Sequence, residues 1–313
     1  MTANTFDEGA VSQPKSWAEH PTGNLQRVKI ADRIWTVVMW VAAIFLVIVL
    51  FGVVSLILVA GVPYITLQFL LTPGTFDNPG IGPIIWVTFY TLFLTLALVV
   101  PIGIGAAVYL HEYASENRFT NAIRFSTESL ASVPSIVFGV FGSIVFLTMM
   151  QLGFSVLSGS LTLAILNLPL MVRVAEDAVR GVPDSFREGS LALAGSKWET
   201  IRKVVLPTAS AGILTAVVLT AGRIIGETAP LILTMGTTIS PNAYYSLNPL
   251  ATGETLAVHI WVIKIVGMPG VPNSEQVANA TSATLLIMVL LINMLAAFFT
   301  SRLQRRLTGG KKR

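Results

Sequence analysis

The chain alternates long uncharged runs with short charged stretches, and the runs set its architecture. No charge occurs from Ile34 to Phe76. A membrane-crossing helix needs roughly 20 apolar residues, so Ile34–Ala60 is a first span. The rest of that run, VPYITLQFLLTPGTF, carries Pro63 and Pro73 and reads as a segment lying along the membrane interface. A second span covers about 84–110, with Pro101 and the small-residue pattern GIGAA. Between Glu128 and Arg173 stand 44 uncharged residues, enough for two helices. Leu152-Gly153-Phe154-Ser155 and Ser158-Gly159 supply the turn, giving spans at about 128–152 and 160–178. A fifth span runs from Thr208 to about Met235 and a sixth over about 283–301. The expectation is an all-α integral membrane protein of six transmembrane helices, both termini on one side.

Charge assigns the side. Lys15, Arg27, Lys29 and Arg33 precede the first span, and Arg118 and Arg124 separate the second from the third. Arg173, Arg180, Arg187, Lys197, Arg202 and Lys203 lie at or between the ends of the fourth and fifth. Arg302, Arg305, Arg306, Lys311, Lys312 and Arg313 follow the sixth. The opposite segments, 61–83, 153–159 and 236–282, hold only Lys264. Lys and Arg collect on the cytoplasmic face, so both termini are expected in the cytoplasm. Residues 1–33 read as a flexible tail, 34–80 as the first span with its interfacial segment, 81–301 as the main membrane domain, and 302–313 as a basic tail anchored at anionic lipid headgroups. In 236–282 the stretch TLAVHIWVIKIVGM is too short and too charged to span, which suits an interfacial or re-entrant piece, a docking surface or a lid.

Composition sharpens this. The chain is 53% hydrophobic and 12% charged, against about 25% charged in soluble domains, with a mean hydropathy of +0.73. The formal charge of +4 is spread over loops and makes no nucleic-acid face. There is no cysteine, which excludes disulfides, thiol nucleophiles and thiolate metal sites. The three His are far apart and form no HExxH pair. Trp35, Trp40 and Trp86 suit interface positions. Glu128, opening the third span, is a helix N-terminal charge favoured by the dipole, and Pro101, Pro134 and Pro169 are kink positions.

The longest charged loop is Arg180–Pro207, RGVPDSFREGSLALAGSKWETIRKVVLP. Pro183 and Asp184 open a helix, Gly195 and Ser196 break it, and KWETIRKVV resumes with Trp198, Ile201 and Val205 on one stripe. An amphipathic connector has this pattern, and so does a contact element for a cytoplasmic partner. The loop resembles the EAA motif of ABC importer permeases, EAA-x3-G-x9-I-x-LP. Glu188 matches the acid and Leu206-Pro207 the final pair. Gly189-Ser190 replace the two alanines and Val204 the isoleucine. The motif's glycine position falls on Ala194, with Gly195 one place later, which would displace the turn by one residue. The resemblance implies a type I importer permease fold in which this loop seats on an ATPase subunit, with Glu188, Gly189, Ser190, Gly195, Leu206 and Pro207 as coupling residues.

Four further stretches, NPGIGPIIWVTFYTLFLTLALVVPIGIGAAVYLHEYA, ESLASVPSIVFGVFG, LPLMVRVAEDAVRGVP and GRIIGETAPLILT, resemble A-type permeases of phosphate (Pst) importers over about residues 80–301. That likeness implies a second homologous permease, two ATPase copies and an extracytoplasmic phosphate-binding protein as partners, in a bacterial or archaeal cell membrane. No GxxxxGK[ST] loop is present to hold ATP, so no cofactor is expected here and ATP is bound by partners. The chain is expected to be no enzyme.

GRIIGETAP, Gly222–Pro230, places Arg223 and Glu227 in the uncharged run of the fifth span. Arg223 stands about 22 Å along a helix of about 42 Å, counted at 1.5 Å per residue. Spacing of four puts both charges on one helical face, with Pro230 ending the helix beyond the pair. An intramembrane Arg faces a bundle interior or a watery cavity, so the pair is either a clasp between helices or part of a pathway. By the resemblance, Arg223, Glu227 and Arg173 match residues associated with phosphate passage, and a guanidinium fork suits two phosphate oxygens. Arg173, near the inner interface, also suits plain snorkelling. Permeases for another oxyanion, phosphonate or molybdate, carry the same logic. A proton-coupled carrier using Glu227 should show internal repeats, and none is clear. An intramembrane enzyme lacks HExxH, GxSxG or an embedded Asp pair.

Overall fold

The structure, a computed structural model, describes residues 25–74, 80–267 and 273–307. It is helical, and among the described residues the only β feature is an isolated bridge between Pro73 and Ile81. By its contacts the chain divides into residues 1–56 and 57–313. The first unit is made, among its described residues, by most of α1 (Leu25–Gly61), on which most apolar side chains from Val28 to Val59 are exposed. α1 begins nine residues earlier than the span expected at Ile34. Leu25–Arg33, expected within the tail, are helical, while 1–24 lie outside the described residues.

In the second unit a short 3₁₀ turn and α2 (Leu67–Leu71) carry the expected interfacial segment, α2 being capped by Thr66. α3 (Gly82–Val108) runs on as a π-helical turn to Tyr113, and α6 (Val156–Arg180) packs along it. Both continue through their prolines, Pro101 and Pro169. Their contact depends on Gly103, where a Cβ would stand 2.5 Å from Met171 Cγ. α9 (Leu206–Gly226) lies against α6, and α12 (Ser274–Leu307) against α9. α12 includes residues expected in the basic tail, of which 308–313 lie outside the described residues. α11 (Leu256–Trp261), extended by a π turn to Val266, is the apolar stretch of the outer segment. It is packed inward: Leu256, Ala257, Val258 and His259 are buried, and His259 Nδ1 is 3.0 Å from Glu254 Oε1. Trp86 Nε1 donates to Ser246 O (3.0 Å) and Tyr90 Oη to Leu247 O (2.6 Å). The long segment after 236 is thereby tied to the start of α3.

The third span differs from its expected form. α4 (Arg118–Ala131) and α5 (Ser135–Gly142, continuing as a π turn to Met149) meet at a bend of 99°. Pro134 supplies no N–H to a continuing helix and pushes Val133 out of the helical region, so the chain turns at Ser132–Pro134. The membrane-type helix therefore starts at Ser135, and Glu128 sits in the last turns of α4. That is the opposite end from the one where the dipole favours an acid, so the N-terminal role expected of Glu128 is wrong. The turn to α6 uses Gln151 and Gly153 at positive φ. Ser158 and Gly159, expected in that turn, lie in the first turn of α6, which Ser155 caps by accepting from Ser158 N. Among the described residues five helices are long and apolar enough to cross a membrane, and the bent pair taken as one span would make a sixth.

Candidate functional site

The fifth apolar run breaks inside GRIIGETAP. α9 stops at Gly226, Glu227 is extended (φ −71°, ψ 133°), and α10 (Ala229–Thr234) starts afresh. The expectation of one helix carrying both charges and ending beyond them is corrected. Pro230 cannot donate to the carbonyl four residues back, that of Gly226, and its ring collides with it, so the break falls between the two charges. The pair forms across it all the same: Arg223 Nε is 3.1 Å from Glu227 Oε1. Arg223 is one-third exposed and Glu227 nearly buried. A cation in the last turn also meets the negative end of α9. Nothing lies within 4 Å of a Cβ placed on Gly226, while one on Gly222 would stand 3.9 Å from Asn293 Oδ1.

Arg173 does not join that pair. Among the described residues no ion pair links it to Glu227. It reaches from α6 to α4, Nη1 lying 3.2 Å from Glu128 Oε1. Beside it Glu176 takes Arg124 at 2.8 Å and Arg180 at 3.3 Å.

The loop 180–207 folds as expected into two helices, α7 (Asp184–Ala192) and α8 (Lys197–Thr200). α8 is closed by a capping box between Ser196 and Glu199. It runs through a π turn, Ile201–Val205, straight into α9, so Pro207 lies within a continuous helical path. Val108, Val179, Val182, Ile201, Val205 and Ala209 form the core beneath. Trp198, expected on the stripe of Ile201 and Val205, points outward instead. The turn is not displaced toward Gly195: the left-handed residue is Ala194, φ +60°, where the motif has glycine. Gly195 is required for another reason, since a Cβ there would sit 2.9 Å from Ser190 O. Ser190 Oγ bonds Thr200 Oγ1 (2.8 Å) and fastens α7 to α8. Glu188, Gly189 and Pro207 are exposed, and Leu206 is partly buried. Phe186, Leu191, Leu193 and Trp198 expose apolar surface on the same element, Leu193 at 87%.

The residue that seats this element was not singled out in the sequence. Arg187 reaches Glu112 Oε1 through Nε (3.0 Å) and Nη2 (2.9 Å), Val182 O (2.6 Å) and Asp184 Oδ1 through Nη1, and Val179 O through Nη2. It ties α7 to the ends of α3 and α6. Its partner is 75 residues away, and no local pattern announces such a contact.

Residues 99–309 match the family described as binding-protein-dependent transport system inner membrane component. The chain is 38% identical over 291 residues to the Bacillus subtilis (strain 168) protein named "Probable ABC transporter permease protein YqgI", spanning 90% of this chain and 98% of that one. It is 30% identical over 278 residues to "Phosphate transport system permease protein PstA" of Pasteurella multocida, spanning 87% and 95%. In fold it resembles a chain of a bacterial alginate ABC transporter (TM-score 0.64, 16% identity, 92% of this chain and all of that one). It also resembles a chain of the inward-facing MetNI methionine ABC transporter (TM-score 0.54, 17% identity, 72% and 94%). The match over 99–309 runs from within α3 through α12 and includes the α7–α8 element, and the chain belongs to the binding-protein-dependent transport system inner membrane components, the multi-pass permease subunits of ABC transporters.

Proposed function

We propose that this chain is the permease subunit of an ATP-driven importer of inorganic phosphate and forms half of its translocation pathway. Relatives carrying the name of phosphate transport permease support the substrate, one of them along 95% of its length. The observation that carries the pathway role is the interrupted fifth span with its Arg223–Glu227 pair. Irregular backbone at membrane depth is tolerated where it is buried in protein or lines a watery cavity, and a charged pair beside the break favours the second. Arg173 is a further station for the anion. A permease of another oxyanion would use the same cations, and the names of the relatives weigh against it. A proton-coupled carrier is not favoured in a family of ABC permeases.

ABC permeases of this kind work with an ATPase and a substrate-binding protein. The finer assembly proposed is a second permease resembling PstC, two ATPase copies resembling PstB and an extracytoplasmic phosphate-binding protein resembling PstS. ATP hydrolysis resides on the ATPase chains, and this chain forms no covalent intermediate with phosphate. Residues 81–301 are the permease domain, with both termini in the cytoplasm. Glu188, Gly189, Ser190, Gly195, Leu206 and Pro207 belong to the coupling element, whose apolar side chains await a protein surface.

The test is ATP-dependent phosphate uptake in vesicles holding the complete complex. The double change Arg223→Gln plus Glu227→Gln removes both charges at similar volume, and replacing a buried pair is often near neutral for stability. It is expected to assemble and fail to transport. Uptake near normal at matched membrane levels would reduce the pair to a structural clasp. In the same vesicles Glu188→Lys should lose ATPase association or uncouple hydrolysis from uptake, and unaltered behaviour would remove it from the coupling surface.

A further inference from the structure

Arg173 and Glu128 meet in a cleft of about 160 Å³ between α4, α6 and the end of α3. Three cations, Arg124, Arg173 and Arg180, and three acids, Glu128, Glu176 and Asp177, line it, so its formal charges cancel. The two ion pairs that join α4 to α6 are of different kinds. Arg124–Glu176 is a fastening: Glu176 is nearly buried, holds Arg180 as well, and Arg124 also donates to Leu110 O at 3.3 Å. Removing one partner of such a pair strands a charge. Arg173 and Glu128 approach to 3.2 Å at their nearest atoms, between side chains 59% and 57% exposed. Exposed pairs are worth about 0–1 kcal/mol, so this one opens at little cost. Its acid stands on a helix that buries only Thr120 among its own residues and ends at the 99° bend.

We propose that Glu128 is a tethered counter-anion of Arg173. Its carboxylate occupies the guanidinium at which the travelling oxyanion is received, the oxyanion displaces it, and its return drives the oxyanion off. The inference rests on the pathway reading of Arg173. An oxyanion with two free oxygens engages both arms of a guanidinium, and the carboxylate it must displace stands 3.2 Å from Arg173 Nη1. With Glu128 turned away, three cations face two acids and the cleft carries one excess positive charge. With Glu128 home the excess vanishes. The carboxylate thus keeps the arginine from becoming a trap, since a pathway site must hold its ion weakly enough to release it.

The experiment uses the complete complex in vesicles, labelled phosphate on the uptake side and unlabelled inorganic phosphate supplied on the ATP side. In Glu128→Gln, uptake should be inhibited by ATP-side phosphate at about fivefold lower concentration than in the unaltered complex, the factor corresponding to a competing pair of about 1 kcal/mol. Glu128→Asp, which keeps the charge, should stay within about twofold of the unaltered complex by the same measure. If Arg173→Gln transports normally, the pathway reading itself fails. If Arg173→Gln is inactive while Glu128→Gln keeps unaltered sensitivity, the counter-anion fails and the pathway reading stands. If Glu128→Gln does not accumulate in the membrane, the pair is a brace and the inference is overturned.

Discussion

Ala194 makes a turn that glycine would make at less cost. Its φ of +60° brings Cβ against its own backbone, a penalty of about 1–2 kcal/mol, part of which glycine would return as unfolded-chain entropy. Ala194→Gly should therefore stabilise the protein by about 0.5–1 kcal/mol. A rise of about 1–2 °C in detergent thermal unfolding would show it, and a fall would mean that the turn is set by contacts rather than by dihedral preference. At this scale the sequence was legible by position more than by identity. The spacing of the EAA-like loop located the left-handed residue, while the presence of Gly195 pointed one place too far. Arg223 and Glu227 were legible because a charge in an apolar run always needs an account. Arg187 was not, because in a charged loop one more arginine carries no signal.

The two-helix element of α7 and α8 is held by that arginine more than by its own apolar faces. α7 buries no residue fully, while Arg187 is 14% exposed and Glu112 8%. Arg187→Ala would leave Glu112 without its partner, at a cost of about 3–5 kcal/mol, and should lower the melting temperature and ATPase association together. Adding Glu112→Gln should recover part of the melting temperature and none of the association, because the tether stays cut. Arg187→Lys should behave much like alanine, since one ammonium cannot serve Glu112, Asp184 and two carbonyls. Elements were legible as apolar runs, and every expected span has a helix. Breaks inside a run were not. Pro134 and Pro230 were visible as punctuation, but a 99° turn and a restart one residue before Pro230 depend on what packs on each side, α5 against α10 and α6.

For the molecule as a whole, the distribution of Lys and Arg proposes the orientation, and the lack of native cysteine makes it cheap to test. Thr238→Cys should react with an impermeant thiol reagent added outside, and Glu116→Cys only from inside. Both positions are exposed, and reversed labelling would turn the molecule over. The fold was legible at this scale because lipid permits few spanning structures, so length and charge alone nearly enumerate them. The bend at Pro134 bears on how the chain is made. Ser135–Met149 is 15 residues, about 22 Å of helix, short of the roughly 30 Å of hydrocarbon. During synthesis it emerges ahead of α6 and is too short to settle alone, so it is expected to enter the membrane as a hairpin with Val156–Arg180. A reporter fused after Leu152 should then stay on the side of Glu116, although in the finished protein that point faces the other way. Crossing by the truncated chain would show that the short helix inserts unaided.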